Sequence, residues 1–234
     1  MTPLSQPAPT VRSRLIELVA GLVPSPHGAD CVRIGIDGVD GAGKTCLADE
    51  LAHALRTAGR PVVRVRVDDF HQVRAIRYRR GRGSPSGFWL DSFDYPRLWA
   101  EVLEPLGPGG SRRYRPAGHD LETDQLLHPP LRTAPAGAVL VLDGVFLHRP
   151  ELAGAWELSI FLDAGFDETA RRMAGRDGSA PDPEHPSLAR YVLAQRRYLA
   201  GRPWQRADVV IDNAVLAAPV LVSLIPRREP DPVA

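Results

Sequence analysis

The chain has 234 residues, 44% of them hydrophobic and 24% charged, and this composition excludes a disordered or collagen-like chain. Because 29 basic residues nearly balance 28 acidic ones, the formal net charge of +1 leaves no overall field for binding nucleic acid or an anionic membrane. Two cysteines, Cys31 and Cys46, cannot build a disulfide framework, so we expect a reducing cytoplasm as the location.

The N-terminal segment 1–23 is predicted to form a helix rather than a membrane span or a signal peptide. Charged residues interrupt its apolar stretch, which is much shorter than the roughly 20 residues that a span requires. The apolar residues that share one face at helical spacing are Val11, Leu15, Leu18, Val19 and Leu22. We therefore expect no membrane partner.

Further along the chain, short β-branched runs alternate with helical patterns, which predicts strand-helix-strand units on a parallel sheet. The predicted strands are 32–37, 62–67, 138–143, 158–162 and 209–212, and the last of them closes the pattern. The predicted helices are 45–58, 95–106, 167–176 and 187–200. We expect one α/β domain over residues 1–234 with a three-layer α/β/α architecture.

Several segments lack a periodic pattern. Two long ones, about 71–94 and 107–135, are predicted to be binding loops, because long irregular segments in a compact domain commonly carry function. A Pro- and Gly-rich stretch lies within residues 172–190, where we expect a helical lid. The tail, 226–234, is expected to be disordered.

The strongest motif is GVDGAGKT at 38–45, a complete GxxxxGK[ST] sequence between a predicted strand and a predicted helix. In such a phosphate-binding loop (P-loop), backbone amides and the helix N-terminus hold phosphate oxygens, the lysine reaches the outer phosphates and the hydroxyl binds Mg²⁺. Lys44 is the only lysine among the 29 basic residues. The predicted nucleotide-binding residues are Gly38, Asp40, Gly41, Ala42, Gly43, Lys44, Thr45 and Cys46.

Carboxylates end two of the predicted strands, and the carboxyl ends of parallel strands meet at one edge of a sheet. Asp143 ends the strand AVLVLD and could share Mg²⁺ with Thr45, although a helix-capping Asp is the alternative. Asp68 and Asp69 end the neighbouring strand, where a carboxylate could take a proton from an alcohol that attacks the γ-phosphorus. One of this pair could instead cap a helix, and His71 could be an ordinary loop histidine.

Taken in order, these motifs resemble those of the uridine kinase and phosphoribulokinase-like group of P-loop kinases. The resemblance runs from residue 34 to about 213. It rests on the P-loop, DDFH at 68–71, FDYP at 93–96, the segment 114–119, DG at 143–144 and a late arginine-bearing lid. It implies a kinase that uses ATP and Mg²⁺, with acceptor-binding loops at 71–94 and 107–135.

The same resemblance implies roles for individual residues. The implied metal-site residues are Thr45, Asp68 and Asp143, of which Asp68 is also the implied general base. The implied acceptor-binding residues are Asp68, His71, Asp94, Tyr114 and His119. A carboxylate at 94 could accept two ribose hydroxyls, and the ring and histidine of 114–119 would suit a flat pyrimidine. The alternative is that the side chains of 114–119 merely pack within an irregular loop.

Two arginines of the expected lid, Arg172 and Arg176, lie four residues apart on one predicted helix face. The resemblance implies that they act with Lys44 as catalytic groups, closing over the transferred phosphate and stabilising its charge. The alternative is a solvated helix face in an arginine-biased chain.

Departures from the family pattern affect the acceptor. Arg115 and Pro116 replace the acidic and aromatic residues usual at that point, the lid is shortened, and the segment 74–87 is unusually basic. Asp91 also competes with Asp94 for the role at the sugar.

The expected function is transfer of the γ-phosphoryl group of ATP to the 5′-hydroxyl of uridine or cytidine, a small-molecule substrate, by an enzyme for which the family suggests a homo-oligomer. Pantothenate kinase is the nearest alternative, because DDFH resembles its strand-end motif equally well. A nucleic-acid-binding P-loop ATPase is the alternative from another class, because five arginines surround Tyr78 between residues 74 and 82. The near-zero net charge opposes it, so no nucleic-acid partner is expected.

Overall fold

The computed structural model describes residues 10–225, so the expected disorder of 226–234 lies outside the described residues. The predicted N-terminal helix is present as α1, Val11–Gly21, and the Thr10 hydroxyl caps it by accepting the Ser13 amide at 3.1 Å. Within residues 10–225, no helix combines the length and apolarity that crossing a membrane requires.

Ten strands occur in the described part of the chain. In chain order they are β1 Val32–Gly38, β2 Val62–Arg66, β3 Arg113–Tyr114, β4 His119–Asp120, β5 Gln125–Leu126, β6 Arg132–Thr133, β7 Val139–Asp143, β8 Leu158–Asp163, β9 Val209–Asp212 and β10 Val220–Leu224. Six form a central sheet in the order β10-β9-β8-β1-β7-β2, with parallel pairing except between β9 and β10. The two-residue strands form two small antiparallel pairs, β3 with β6 and β4 with β5.

Helices cover both faces of this sheet. After α1 they are α2 Lys44–Thr57, α3 Arg74–Arg77, α4 Pro85–Asp91, α5 Tyr95–Leu98, α6 Phe166–Asp177 and α7 Ala189–Ala200. The chain continues from α5 directly into a π-helical turn, Trp99–Leu103. Together these two elements occupy most of the helix predicted at 95–106.

The alternation of side chains along β1 explains the layers. Ile34 and Ile36 are fully buried against α1 and α2 on one face. On the other face Gly35 lies under Trp156, whose ring would be 2.6 Å from an added Cβ. That second face carries α4, α5 and α7, with buried residues that include Phe88, Tyr95, Leu98, Ala194 and Tyr198. The predicted three-layer α/β/α fold is confirmed.

Three details of the prediction were wrong. The strand at 209–212 does not close the sheet, because β10 adds an antiparallel edge strand whose residues alternate between exposed and half-buried. The segments 71–94 and 107–135 are not wholly irregular, since they contain α3 and α4 and the four short strands, respectively. The helix predicted from 187 starts at Ala189, after a 3-10 turn over Pro186–Leu188.

Candidate active site

The P-loop connects the carboxyl end of β1 to the first turn of α2. Gly41 and Gly43 have φ angles of 76° and 97°, in the left-handed region that glycine adopts most readily. A Cβ added at Gly41 would lie 2.6 Å from the carbonyl oxygen of Thr169, and one added at Gly43 would lie 2.7 Å from the side-chain amide nitrogen of Asn213. Conformation and packing therefore both require glycine at these two positions.

The polar side chains of the loop lie beside the strand end of β7. The Lys44 ammonium donates to the carbonyl oxygen of Val39 at 2.8 Å, across the loop. The Thr45 hydroxyl donates to Oδ2 of Asp143 at 2.7 Å. The other oxygen of Asp143 accepts a hydrogen bond from Arg64 on β2 at 2.8 Å. The structure thus brings together the hydroxyl and the carboxylate that the sequence predicts as metal ligands.

A close backbone approach brings the second carboxylate to the same edge. Gly144, directly after β7, lies so near the chain beyond β2 that an added Cβ would be 2.0 Å from Cγ1 of Val67. Asp68 follows Val67. The negative charges of Asp40 and Asp143 are close enough to disfavour ionisation of the Asp68 carboxyl group. Glycine at 144 therefore allows the ends of β2 and β7 to converge.

The pKa of Asp68 is raised to about 6. Its side chain is exposed where two cavities meet, and the protein that walls these cavities displaces part of the bulk water around it, which is the largest cause. The negative charge of Asp40 raises the pKa further, whereas the positive charge of Lys44 opposes the shift. A carboxylate with a pKa near 6 is suited to accepting a proton at neutral pH.

The oxygen donors at this edge fit a hard cation held jointly with a nucleotide. Among the described residues, no group of three or more His, Cys, Asp or Glu side chains could hold a metal ion alone. Mg²⁺ is commonly bound by one or two carboxylates together with substrate phosphates and water, so a three-carboxylate cage is not required. Thr45 and Asp143, in hydrogen-bond contact, supply such a partial set, with Asp68 nearby.

A cavity of about 580 Å³ opens over the P-loop. Ten of the predicted site residues line this cavity: six from the segment 38–46, the two strand-end carboxylates and the two lid arginines. The predicted residues that line it are Asp40, Gly41, Gly43, Lys44, Thr45, Cys46, Asp68, Asp143, Arg172 and Arg176. Apolar residues of α6 and α7, such as Met173 and Val192, form the rest of the wall.

The two lid arginines differ in their freedom. Arg172 is tethered, because it pairs with Glu168 at 2.9 Å and donates to the carbonyl oxygens of Asn213 and Ala214 at 2.8 and 2.9 Å. Arg176 is largely exposed and pairs with its neighbour Asp177 at 2.8 Å. Arg176 can therefore reorient toward a phosphate without breaking a buried contact.

A second cavity, of about 360 Å³, adjoins the first. The residues that line both are Asp40, Asp68, Val145 and Tyr191. His71 lines only the second cavity, and its Nδ1 donates to the carbonyl oxygen of Asp68 at 2.8 Å. Burial lowers the pKa of His71 to about 4, so the ring is neutral near pH 7.

The remaining predicted acceptor residues lie elsewhere. Asp94 caps α5 by accepting the Arg97 amide at 3.1 Å. Tyr114 is buried in the hydrophobic core, and His119 is buried with its Nε2 3.2 Å from Asp124. None of these three lines either of the two cavities described above. The roles proposed for them by the resemblance stay predictions.

Asp91, the alternative sugar ligand, is also absent from both cavity walls. Its side chain is fully buried and pairs with Arg80 at 2.8 Å and with Arg79. Two arginines of the basic segment are thereby held against the protein. The basic character noted in the sequence is partly a structural ion-pair system.

Sequence reasoning missed two groups of residues that hold the site. Arg64 fixes Asp143, and Gln195 on α7 contacts Asp40. The buried carboxylate of Asp37 accepts hydrogen bonds from the first P-loop amide, from His148 and from Tyr198. The only sequence signal for these contacts is the presence of polar residues in otherwise apolar strands and helices, such as Asp37 in VRIGID.

Solved structures are similar to this chain over most of its length. The chain superimposes with a TM-score of 0.65 on a protein described as a "possible uridine kinase" from Bacillus stearothermophilus, with 26% identity, over 83% of this chain and 96% of that one. A second neighbour is described as a candidate fructose transport system kinase from Silicibacter sp. TM1040, with a TM-score of 0.62, 21% identity, and coverage of 79% and 94%.

No family model matches the sequence, and no curated protein matches it either. The structural neighbours are uridine kinase-like and related P-loop kinases, which confirms the resemblance drawn from the motifs. They support a phosphotransferase that binds a nucleotide through its P-loop.

Proposed function

We propose that the chain, which is similar in structure to uridine kinase-like P-loop kinases, transfers the γ-phosphoryl group of ATP to a hydroxyl group of a small molecule. One observation carries the proposal. Asp68, a carboxylate suited to proton acceptance, lies where the cavity above the P-loop meets a second cavity. A donor in the first cavity and an alcohol in the second would meet at this side chain.

On the donor side, the residues proposed to hold the triphosphate are Gly38, Asp40, Gly41, Ala42, Gly43, Lys44, Thr45 and Cys46. Backbone amides of the loop and the N-terminus of α2 would bind phosphate oxygens, since both present partial positive charge. Thr45 and Asp143 would hold Mg²⁺, with Asp68 facing it. When bound, the ion would neutralise charge on the phosphates and orient them for in-line attack.

On the acceptor side, Asp68 would accept the proton of the hydroxyl as its oxygen approaches the γ-phosphorus. Lys44 would move from its contact with the Val39 carbonyl to the outer phosphates. Arg176, exposed and paired with its neighbour Asp177, would turn to neutralise charge on the transferred group, whereas Arg172 would chiefly hold α6 against the P-loop. Closure of the lid segment would exclude water from the transfer.

Uridine and cytidine are the acceptors proposed by the motif resemblance, and the Bacillus stearothermophilus neighbour is described as a possible uridine kinase. Pantothenate and other alcohols are the alternatives. For a nucleoside, Asp94, Tyr114 and His119 would have to reach the second cavity through rearrangement of the loops that carry them. The reaction class is therefore supported by more of the geometry than the nucleoside is.

The test is a coupled ADP-release assay with Mg²⁺ and ATP over a panel of nucleosides, pantothenate and small polyols. The proposal expects ADP release that depends on an acceptor and yields a phosphorylated product detected by mass spectrometry. Asp68→Asn should lower this rate strongly while leaving ATP binding nearly unchanged. ADP release that responds to RNA and to no small alcohol would instead support the nucleic-acid-dependent ATPase.

A further inference from the structure

The second cavity has a cationic wall away from the P-loop. Arg74 and Arg77, on α3, line this cavity and not the one above the P-loop. The acidic residues Asp40 and Asp68 belong to the region that both cavities share. A molecule in the second cavity would therefore face carboxylates at its reacting end and guanidinium groups elsewhere.

Arg77 is the buried member of this pair of arginines, and one of its donors lacks a partner among the described residues. Its side chain is only 7% exposed, and its Nη2 donates to Asp124 at 3.2 Å. Its Nε is buried and has no hydrogen-bond partner among the described residues. Because a buried donor without an acceptor is costly, an acceptor supplied by a ligand would complete this guanidinium.

The protein's own acid does not balance the local positive charge. Asp124 is shared, since it also contacts His119 Nε2 at 3.2 Å and accepts the backbone amide of Arg74 at 2.9 Å. The guanidinium of Arg74 donates to the carbonyl oxygen of Glu122 at 2.9 Å, and its positive charge also acts on Asp124. Two guanidinium groups thus share one carboxylate at this wall.

The remaining lining residues shape the cavity without offsetting that charge. The Nδ1 of His71 donates to the carbonyl oxygen of Asp68 at 2.8 Å. The aromatic rings of Tyr78, Phe88 and Phe93 also line the cavity. Because the side chain of Arg77 is only 7% exposed, an ion pair between this guanidinium and a bound anion is less weakened by water than an ion pair on the surface.

We infer that the phosphoryl acceptor is a small alcohol that also carries an anionic oxygen group, a carboxylate or a phosphate, and that Arg77, assisted by Arg74, binds this group. The inference rests on the proposed function and names the substrate class of the same site. The hydroxyl of such an acceptor lies at Asp68, and its anion lies at α3. A neutral nucleoside could offer an oxygen to the Nε of Arg77, but it carries no negative charge to balance the two guanidinium groups.

The experiment compares acceptors that differ only in the anionic group. Orotidine and uridine, pantothenate and panthenol, and glycerate and glycerol form carboxylate pairs, while ribulose 5-phosphate and ribulose form a phosphate pair. For each acceptor, kcat/KM is measured with the wild-type chain, with Arg77→Gln and with Arg74→Gln. Arg14→Gln, a change at an exposed arginine of α1 that lines neither cavity, is the matched control.

The inference predicts that the wild type prefers the anionic member of at least one pair by about tenfold or more, the size expected for a charged hydrogen-bonded contact. Arg77→Gln should lower kcat/KM for the anionic member far more than for the neutral member and so remove that preference, whereas Arg14→Gln should leave it intact. Whether the carboxylate pairs or the phosphate pair show the preference identifies the anion. If Arg77→Gln does not fold, as circular dichroism would show, the exposed Arg74→Gln should reduce the preference in the same direction.

Neutral and anionic members used equally well, or a preference that survives in both Arg77→Gln and Arg74→Gln, would overturn the inference and leave the kinase activity standing. Failure to phosphorylate any acceptor, with ATP bound normally, would overturn the proposed function and with it this inference. The two failures are therefore distinguishable.

Discussion

Gln195 on α7 binds Asp40 of the P-loop through both ends of its side-chain amide. Its carbonyl oxygen accepts the backbone amide of Asp40 at 2.9 Å, and its nitrogen donates to Oδ2 of Asp40 at 2.6 Å. Gln195 is almost fully buried. Because Asp40 lines both cavities, this pair couples the helix beyond the lid to the point where donor and acceptor would meet.

Replacing Gln195 by Ala should lower kcat/KM by about 10- to 100-fold, since a loop displaced by even 1 Å misaligns the reacting groups. Expressed as a free energy, this loss in kcat/KM should be larger than the loss in unfolding free energy. Denaturant unfolding of the same preparations measures the second quantity. Gln205→Ala, a change at an exposed glutamine, is the matched control and should leave both quantities unchanged. An unaltered kcat/KM in Gln195→Ala would show that the contact with Asp40 has no role in positioning.

Lys44→Ala should lower kcat by about 10²–10³-fold, because the site loses the cation nearest the outer phosphates. Stability should change little, since the ammonium makes one contact with the Val39 carbonyl and remains partly exposed. As the sole lysine, Lys44 can also be followed chemically: MgATP should protect it from an amine-acylating reagent, with the N-terminal amine as internal control. Equal acylation of Lys44 with and without MgATP would contradict its placement at the phosphates.

The raised pKa of Asp68 predicts how stability depends on pH. The folded chain holds this proton up to about pH 6, whereas the unfolded chain releases it near the ordinary value of 3.8. The folded state therefore binds more protons between these values, and the contribution of Asp68 to stability is lost as pH rises through about 6. Relative to the wild type, Asp68→Asn should become progressively more stable from pH 4 to pH 7.

Urea unfolding of the ligand-free proteins at four or five pH values measures this difference. Asp120→Asn is the control, because hydrogen bonds from the backbone amides of Thr123 and Glu122 hold the pKa of that half-buried carboxyl below its ordinary value. Its difference from the wild type should therefore not follow the Asp68 profile. A pH-independent difference for Asp68→Asn would show that the Asp68 pKa is not raised.

Gly144→Ala should both destabilise the fold and separate the strand ends that carry Asp68 and Asp143. The new Cβ would lie 2.0 Å from Cγ1 of Val67, and overpacking of this kind costs about 1–3 kcal/mol in unfolding free energy. Gly21→Ala, where no described atom lies within 4 Å of the new Cβ, should change stability by less than about 0.5 kcal/mol.

The double variant Val67→Gly with Gly144→Ala tests the cause, because it removes both Val67 atoms, Cγ1 at 2.0 Å and Cβ at 2.6 Å, that the new methyl group would meet. The double variant should lose less unfolding free energy than the two single variants lose together, and part of the activity should return. Purely additive losses would show that the close approach is not what the glycine provides.

Local patterns carried much of the fold prediction. GVDGAGKT predicted the loop and the start of α2, and the runs VRIGID and AVLVLD predicted strands that are almost wholly buried. These signals are local because backbone conformation and binary patterning act over a few residues. The edge strand β10 was missed, since it lies beyond the last recognised pattern and one face remains exposed.

The residues that support the site could not be found in this way. Thr45 and Asp143 are 98 residues apart, and Gln195 and Asp40 are 155 apart. Arg77 lies in a segment whose arginine content alone indicates little, because arginine supplies nearly all of the basic residues. Only the packed structure shows that Arg79 and Arg80 neutralise Asp91 while Arg77 keeps an unpaired donor.

The sequence by itself determined the phosphate-binding loop, the strand ends that carry carboxylates and the α/β architecture. The tertiary structure decided which of those carboxylates share one edge, which side chains hold them and which residues line the second cavity. The physical reason is that conformational preferences are set by neighbours in the chain, whereas hydrogen bonding, desolvation and charge balance depend on distances that exist only after the layers have packed.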